Sequence, residues 1–78
     1  MKSMTCKDLG GPCDERFAGK DANEIINAQD AHLKAKVAAG DASHEEAAKA
    51  MKGRWKKPWS GMSWYRGVKR DFAALPDD

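Results

Sequence analysis

The pattern of hydrophobic and polar residues divides the chain into an N-terminal part with strand character and a longer part with helical character. Residues 4–6 form a short apolar stretch, residues 8–12 hold the glycines and proline of a turn, and residues 14–18 return as a second strand. Beyond residue 20, apolar side chains recur with the period of about 3.6 residues that is typical of helices. This pattern predicts a mostly helical α+β fold, with a short N-terminal β-hairpin, an αα-hairpin and a third, C-terminal helix.

Capping residues predict where the first two helices begin and end. Asp21, with Glu24 at capping-box spacing, begins the first helix, and Gly40 at the C′ position ends it. Asp41 or Ser43 caps the second helix, and Glu46 stands at capping-box spacing from Ser43. Gly53 is expected to end this helix.

The third helix follows an irregular segment in this interpretation. Residues 54–61 are expected to be irregular, because Pro58 disfavours a helical conformation at Lys57. Ser60 or Ser63 then caps a helix that runs to Leu75. The faces expected to be buried are Ile25, Ile26, Gln29, Leu33, Lys36 and Val37 on the first helix, His44, Ala47, Ala48 and Met51 on the second, and Trp64, Val68, Phe72 and Leu75 on the third.

Length and composition predict one small soluble domain over residues 1–78, made of segments 1–20, 21–53 and 54–78. No apolar run approaches the roughly 20 residues that a membrane-spanning helix needs. No apolar stretch follows residues 1–4, so we expect no signal peptide and a cytoplasmic location.

The small size of the chain makes an additional stabilising element necessary. Its 78 residues include few large apolar side chains, and alanine supplies much of the 41% hydrophobic content. A core of this size rarely provides more than about 3–5 kcal/mol. A disulfide between Cys6 and Cys13 would serve, but the reducing cytoplasm disfavours it. A bound metal or a small homo-oligomer remains, with a monomer also compatible.

Two cysteines and two histidines form the candidate metal site: Cys6, Cys13, His32 and His44. Two thiolates and two imidazoles match a closed, structural zinc site. The spacing C-x6-C-x18-H-x11-H departs from common zinc motifs, but glycines between the cysteines let that loop fold back. An antiparallel helical hairpin would bring the two histidines together.

Simpler interpretations of these four residues stay open. A histidine on an apolar helix face is often a hydrogen-bonded core residue, and a cysteine is often a small buried hydrophobe. The cysteines also form a candidate redox pair, although C-x6-C lacks the helix-terminus geometry of C-x-x-C.

Residues 4–14, with the two cysteines around a Gly-Gly-Pro turn, resemble a family of short bacterial proteins known as domain of unknown function 1059. In that family an acid-capped helix follows and carries a histidine, which corresponds to His32 here. Many members have a second histidine five residues later, where this chain has Val37. A longer subgroup shares the Gly-Asp-x-x-His segment of residues 40–44 and the ending of residues 69–78. The resemblance supports the metal ligands and implies no established activity.

Charge is distributed unevenly along the chain. Residues 1–48 carry six Lys/Arg and nine Asp/Glu, a net charge of −3, whereas residues 49–70 carry eight Lys/Arg and no acid. All three tryptophans also lie in this basic segment. Cations interleaved with aromatic rings are typical of proteins that bind single-stranded nucleic acid.

The candidate nucleic-acid-binding residues are Arg54, Trp55, Lys56, Lys57, Trp59, Arg66, Lys69 and Arg70. The alternative is that the tryptophans pack in the core, with the cations solvated or stacked on the rings. Catalysis is not expected, since no nucleophile elbow or phosphate-binding glycine loop is present and four protein ligands would close a zinc site. The sequence therefore predicts a zinc-stabilised interaction module for an unidentified protein partner, with a nucleic-acid-binding module as the alternative.

Overall fold

The computed structural model of the chain describes residues 1–77, except for the side chains of Pro58 and Ser60. Strands β1 (Lys2–Thr5) and β2 (Arg16–Gly19) form an antiparallel hairpin in which Met4 lies opposite Phe17. The predicted hairpin is therefore confirmed, with the first strand shifted towards the N-terminus. Cys6 lies just beyond β1 because the chain turns there into a short 3-10 helix.

Hydrogen bonds keep the two arms of the hairpin paired beyond the strands. The backbone N–H of Cys6 donates to the carbonyl of Glu15 at 2.8 Å, and that of Lys7 donates to the carbonyl of Cys13 at 3.0 Å. The turn between them is the 3-10 helix Lys7–Leu9, which Gly10 ends with a positive φ of 96°. The two cysteines are thereby held on adjacent arms of one loop.

Helix α1 (Ala22–Ala38) begins at the predicted cap. The Asp21 carboxylate accepts a hydrogen bond from the backbone N–H of Glu24 at 3.0 Å. The Glu24 carboxylate in turn accepts from the backbone N–H of Lys20 at 2.6 Å, one residue before the position that a regular capping box would use.

The C-terminus of α1 has the two hydrogen bonds of a Schellman motif. Gly40, with a φ of 87°, donates to the carbonyl of Val37 at 3.0 Å, and Asp41 donates to that of Lys36 at 2.9 Å. The predicted C′ glycine is thus confirmed. The inward face is correct as far as Leu33, but Lys36 and Val37 are exposed. Val37 instead lines an open cleft between α1 and α2.

Helix α2 (Glu45–Lys56) follows a single 3-10 turn, Ala42–His44. Of the two predicted caps, Asp41 is used, since its carboxylate accepts from the backbone N–H of Ser43 at 2.9 Å. The Ser43 hydroxyl also donates to this carboxylate. The N-cap residue of α2 is His44, which makes no side-chain capping hydrogen bond. The expected capping box of Ser43 and Glu46 is therefore wrong. The predicted inward face of α2 is confirmed, with His44 and Met51 buried.

The prediction that Gly53 ends α2 is also wrong, because the helix continues through three further residues. Glycine costs only about 1 kcal/mol in a helix. The next residue, Arg54, stacks its guanidinium on the Trp64 ring at 4.3 Å, which favours the helical extension.

Helix α3 (Pro58–Ala74) starts almost at once, so the expected irregular segment 54–61 is reduced to Lys57. Lys57 is extended, with φ −114° and ψ 97°, as the following proline requires. Proline itself is well tolerated at the first helical position, so α3 begins there and not at Ser60 or Ser63. Leu75, extended, ends it.

The core has two parts. The first cluster contains Met4, Leu9, Ala22, Ile25, Ile26 and Val68, with Phe17, Trp64, Tyr65, Phe72 and Leu75 packed against it. The second cluster contains Cys6, Leu33 and Met51. Helix α3 therefore covers the first cluster with the face predicted for it. No helix in the described residues combines the length and apolarity needed to cross a bilayer.

We expect Gly61→Ala to destabilise the chain, because a Cβ there would collide with the carbonyl oxygen of Arg54 where α3 lies against α2. Overpacking of this kind costs about 1–3 kcal/mol. Gly67→Ala is the matched control in the same helix, since no atom lies within 4 Å of its added Cβ. It should stabilise the chain by about 0.5–1 kcal/mol. Urea unfolding followed by circular dichroism measures both, and equal stability of the two variants would contradict the close approach.

Candidate metal centre

The four predicted ligands lie together in the structure. Cys6, Cys13, His32 and His44 each offer one donor atom, and these atoms all lie within 4.8 Å of one another. The four residues named from the sequence therefore lie close enough together to hold a metal ion. Both cysteines are free thiols, so no disulfide joins them.

Each ligand comes from a different segment of the fold. Cys6 follows β1, Cys13 precedes β2, His32 lies within α1, and His44 ends the 3-10 turn before α2. The two imidazole rings meet edge to face with their centroids 5.0 Å apart, as the antiparallel hairpin of α1 and α2 predicts. The site thus joins the N-terminal hairpin to both helices.

The loop between the cysteines folds back as its glycines predict. The carbonyl of Cys6 accepts from the backbone N–H of Leu9 at 3.1 Å and from that of Gly11 at 2.8 Å. Gly11 lies so close to the Cys6 sulfur that a Cβ would overlap it. The six-residue spacing is therefore compatible with a compact site because a residue without a side chain occupies this position.

The donor atoms differ in their exposure to solvent. Cys6 and His44 are buried, whereas Cys13 and His32 are partly exposed. The Cys13 sulfur lies 3.3 Å from Nε2 of His32, and the Phe17 ring packs against the same imidazole at a centroid distance of 5.3 Å. The site is consequently closed on the core side and reaches the surface on the other.

His44 is oriented by a carboxylate at its Nδ1. Its Nδ1 lies 3.1 Å from Oδ2 of Asp41 and 3.2 Å from the Ser43 hydroxyl. Its Nε2 is buried and has no hydrogen-bond partner among the described residues. A carboxylate on Nδ1 fixes the tautomer that presents a lone pair at Nε2, which is the arrangement of metal-bound histidines.

Gln29 supports the buried cysteine. Its side-chain amide is fully buried on α1 and lies 3.4 Å from the Cys6 sulfur, to which it donates a hydrogen bond. Sequence reasoning placed Gln29 only on the inward face of the helix, and Asp41 only at a cap. The position of a polar residue on an apolar helix face was the signal that could have identified Gln29 as a hydrogen-bonding residue of the site, because buried polar side chains usually have a hydrogen-bond partner.

The electrostatics of the site follow from burial and the neighbouring groups. Burial lowers the pKa of His32, and the charge of His44 lowers it further. The Cys13 sulfur raises the pKa of His44, with Asp41 adding to the effect. Although Cys13 is close, no hydrogen bond of regular geometry reaches Nε2 of His44. Hydrogen bonds from Ser43 and then from His44 lower the pKa of Asp41.

The donor set fits a tetrahedral metal ion. Ligand atoms around tetrahedral zinc lie about 3.3–3.8 Å apart, given zinc–ligand bonds of about 2.0–2.3 Å. The Cys13–His32 separation already falls in this range, and the widest separation in the cluster is at most 4.8 Å. Closing the site requires side-chain movements of about 1 Å.

The predicted nucleic-acid-binding residues lie elsewhere, at the end of α2 and along α3. Trp59 is 89% exposed and Trp55 is 60% exposed. Arg54 is half-buried against Trp64, and Lys69 lies over the Tyr65 ring at 5.3 Å. The remaining members are all exposed: Lys56, Lys57, Arg66 and Arg70. Two tryptophans are thus surface residues, contrary to a purely packing role, while Trp64 packs against both core clusters.

We expect Gly11→Ala to disturb the site, because its Cβ would displace the Cys6 sulfur and approach Nε2 of Gln29 at 3.0 Å. The free energy of unfolding should fall by about 1–3 kcal/mol, and the buried Cys6 thiol should react faster with a thiol reagent. Gly53→Ala is the control, since its added Cβ meets nothing within 4 Å. Unchanged thiol reactivity and stability in Gly11→Ala would contradict the close packing of the cysteine loop.

Comparison with known proteins places the site within a family. The family model described as "Protein of unknown function (DUF1059)" matches residues 1–50, which include all four candidate ligands. No curated protein and no solved structure matches the chain. The second half of α2 and all of α3 lie in the remaining segment. Because the match covers more than half of its 78 residues, the chain belongs to the DUF1059 family of proteins of unknown function.

Proposed function

We propose that this protein is a small cytoplasmic interaction module whose fold is stabilised by a structural zinc ion and which has no catalytic activity. The observation that carries the proposal is the convergence of two sulfur and two nitrogen donors within 4.8 Å of one another. The orphaned Nε2 of His44 supports it, because a buried polar atom without a partner is costly unless a ligand satisfies it.

The donor types favour zinc. Thiolates and imidazoles are preferred by zinc and other transition metals, whereas calcium and magnesium prefer oxygen ligands. Four protein ligands complete a tetrahedron and leave no position for a substrate or reactive water. The chemistry therefore supports a structural role and argues against catalysis at this site.

The position of the site supports a role in folding. The four ligands are drawn from the hairpin, α1 and the turn before α2, so one ion would cross-link three parts of the fold. The adjoining second cluster has only three fully buried members. Metal binding contributes directly to folding free energy when the unfolded chain has no preformed site.

We expect about one zinc ion per chain in protein purified without an affinity tag from zinc-replete medium, measured by elemental analysis. Removal of the ion by a chelator should reduce the helical circular dichroism signal, because the hairpin, α1 and the turn before α2 would no longer be cross-linked. Less than about a tenth of an equivalent would contradict the proposal, since closed zinc sites are tightly occupied.

Paired variants separate ligation from general effects on the chain. His32→Gln should lose the metal and, with it, part of the helical circular dichroism signal. Lys36→Gln, one turn further along α1 and exposed, should retain the metal. Equal zinc content in the two variants would show that His32 is not a ligand.

Nucleic-acid binding remains the second candidate, and the exposure of Trp59 and Trp55 is the observation that favours it. Stacking requires accessible ring faces next to cations, and residues 49–70 contain no acidic residue. The interaction-module proposal treats the same cations as a solvated surface.

The two candidates differ in a fluorescence titration with mixed-sequence single-stranded DNA and RNA at ~50 mM salt, where phosphate contacts are strongest. The interaction-module proposal predicts no change in tryptophan emission. Binding through about five phosphates would instead quench it, with a log–log salt dependence near −3.5. Failure of both nucleic acids to bind would remove the second candidate, whereas salt-dependent quenching would favour it.

A further inference from the structure

Two open clefts beside α1 share the side chain of Trp55 and are here together called the α1 groove. The first, of about 570 Å³, lies between α1 and α2 and includes Leu33, Val37 and Ala48 in its lining. The second, of about 550 Å³, lies between the start of α1 and the α2–α3 junction and includes Ile26 and Met62. Trp55 lines both clefts, so the two meet at this side chain.

The groove collects the apolar side chains that the fold leaves uncovered. Five large hydrophobic side chains are exposed in the described part of the chain, and three of them line the groove. These are Val37 at 36%, Trp55 at 60% and Met62 at 50% exposure. Contiguous exposed apolar surface in a small protein is typical of a binding site.

The dimensions of the groove match a helix. Its α1 wall runs from Asn23 to Ala38, which corresponds to about 22 Å at 1.5 Å per residue. An amphipathic helix of four turns has this length and lays apolar side chains at i, i+3, i+4 and i+7 into such grooves.

The rim of the groove is basic. Lys34 is paired with Asp30 on α1 at 2.9 Å, which leaves their combined charge neutral. Lys49 and Lys52 on α2 line the same cleft, and neither forms an ion pair with a described residue. Glu45 is the remaining acid in this lining. The unpaired charge along the α2 wall therefore favours an acidic occupant.

We propose that the α1 groove binds an acidic amphipathic helix of a partner protein. The apolar face of that helix covers Val37, Trp55 and Met62, and its carboxylates face Lys49 and Lys52. Trp55, at the junction of the clefts, is the central contact, since tryptophans in the middle of an interface contribute most of the binding energy.

The shape of the surface favours a helix over a polyanion. A single-stranded nucleic acid can stack bases on Trp55, but its phosphates gain nothing from the apolar lining around Val37 and Met62. The most exposed tryptophan, Trp59, does not line either cleft. The groove therefore defines a surface distinct from the exposed ring at Trp59.

The inference rests on the proposed interaction function but not on the identity of the metal. Leu33 connects the two sites, since it lines the groove and packs with Cys6 and Met51 in the second cluster. The metal would therefore support the floor of the groove without contacting the partner.

The probe is a designed 18-residue helical peptide with leucines at i, i+3, i+4 and i+7 and glutamates at the flanking positions. A peptide with lysine in place of every glutamate is the charge control. We expect the acidic peptide to shift the tryptophan emission of the full chain to shorter wavelength, saturably, and the basic peptide to bind about tenfold more weakly or not at all.

Two tryptophan variants test the location. Trp55→Ala should weaken peptide binding about tenfold or more. Trp59→Ala is the control, because the Trp59 ring is more exposed than that of Trp55 but lies outside the clefts, and it should change the affinity by less than about twofold. Binding of Trp55→Ala is followed by calorimetry, so that loss of a fluorophore is not mistaken for loss of affinity. Lys52→Glu should weaken the acidic peptide and strengthen the basic one.

The inference is overturned if the acidic peptide fails to bind at concentrations on the order of 1 mM, or if both tryptophan variants lose affinity equally. It is also overturned if a 15-nucleotide oligothymidylate or phosphatidylserine vesicles bind through Trp55 and the acidic peptide does not. Zinc content and circular dichroism of the same samples separate this from the metal proposal. A folded chain that contains one zinc ion but does not bind the peptide would contradict the groove proposal and leave the metal proposal intact.

Discussion

The packing of four candidate ligand side chains in one cluster, between the N-terminal hairpin and the hairpin of α1 and α2, is the constraint on which the rest of the structure depends. A buried imidazole nitrogen without a hydrogen bond costs about 1–3 kcal/mol, a large share of the stability of a small domain. The fold nonetheless holds Nε2 of His44 in that position, with Asp41 fixing the ring from the other side. A metal ion held by His44 together with Cys6, Cys13 and His32 would convert this unfavourable arrangement into a cross-link, because the four residues bring donor atoms within 4.8 Å of one another. The same constraint explains Gly11, since a side chain there would occupy the space of the Cys6 sulfur.

The two ends of α1 were predictable from the sequence, whereas the end of α2 and the start of α3 were not. Asp21 and Gly40 delimit α1 as expected because a cap and a Schellman motif involve neighbouring residues only. Gly53 and Pro58 misled the prediction for different reasons, one tertiary and one local. Arg54 gains a stacking partner on α3, so α2 continues, and proline at the first helical position lets α3 begin immediately. The four ligands were predictable from their number and from the antiparallel helices. The support from Gln29 and from Nδ1 of His44 was not, because it depends on side-chain directions that no spacing specifies.

The two core clusters are associated with different parts of the fold. The second cluster, with Cys6 and Leu33, adjoins the candidate ligands and lies largely within the segment that matches the family. The first cluster is covered by α3, which lies outside that match and contributes no ligand. Trp64 connects the two, because it packs against both clusters and its ring carries the Arg54 guanidinium. The helix beyond the matched segment thus covers an apolar face of the hairpin and α1 and contributes none of the four candidate ligands.

The positive charge of residues 49–70 affects both the stability of the fold and the binding of a partner. Among the eight cations of this segment, Arg70 lies 3.9 Å from the Asp71 carboxylate in the described structure. Repulsion among the cations opposes compact folding unless salt or an acidic partner reduces it. Lys49 and Lys52 lie along a groove whose floor includes Leu33, and Leu33 packs against the cysteine side of the core. A partner that binds only the folded groove and a metal that binds only the folded site would each stabilise the same conformation. Their effects would then be reciprocal, since two ligands that select one state raise each other's apparent affinity. The metal would act on recognition through Leu33, from the side of the helix opposite to the partner.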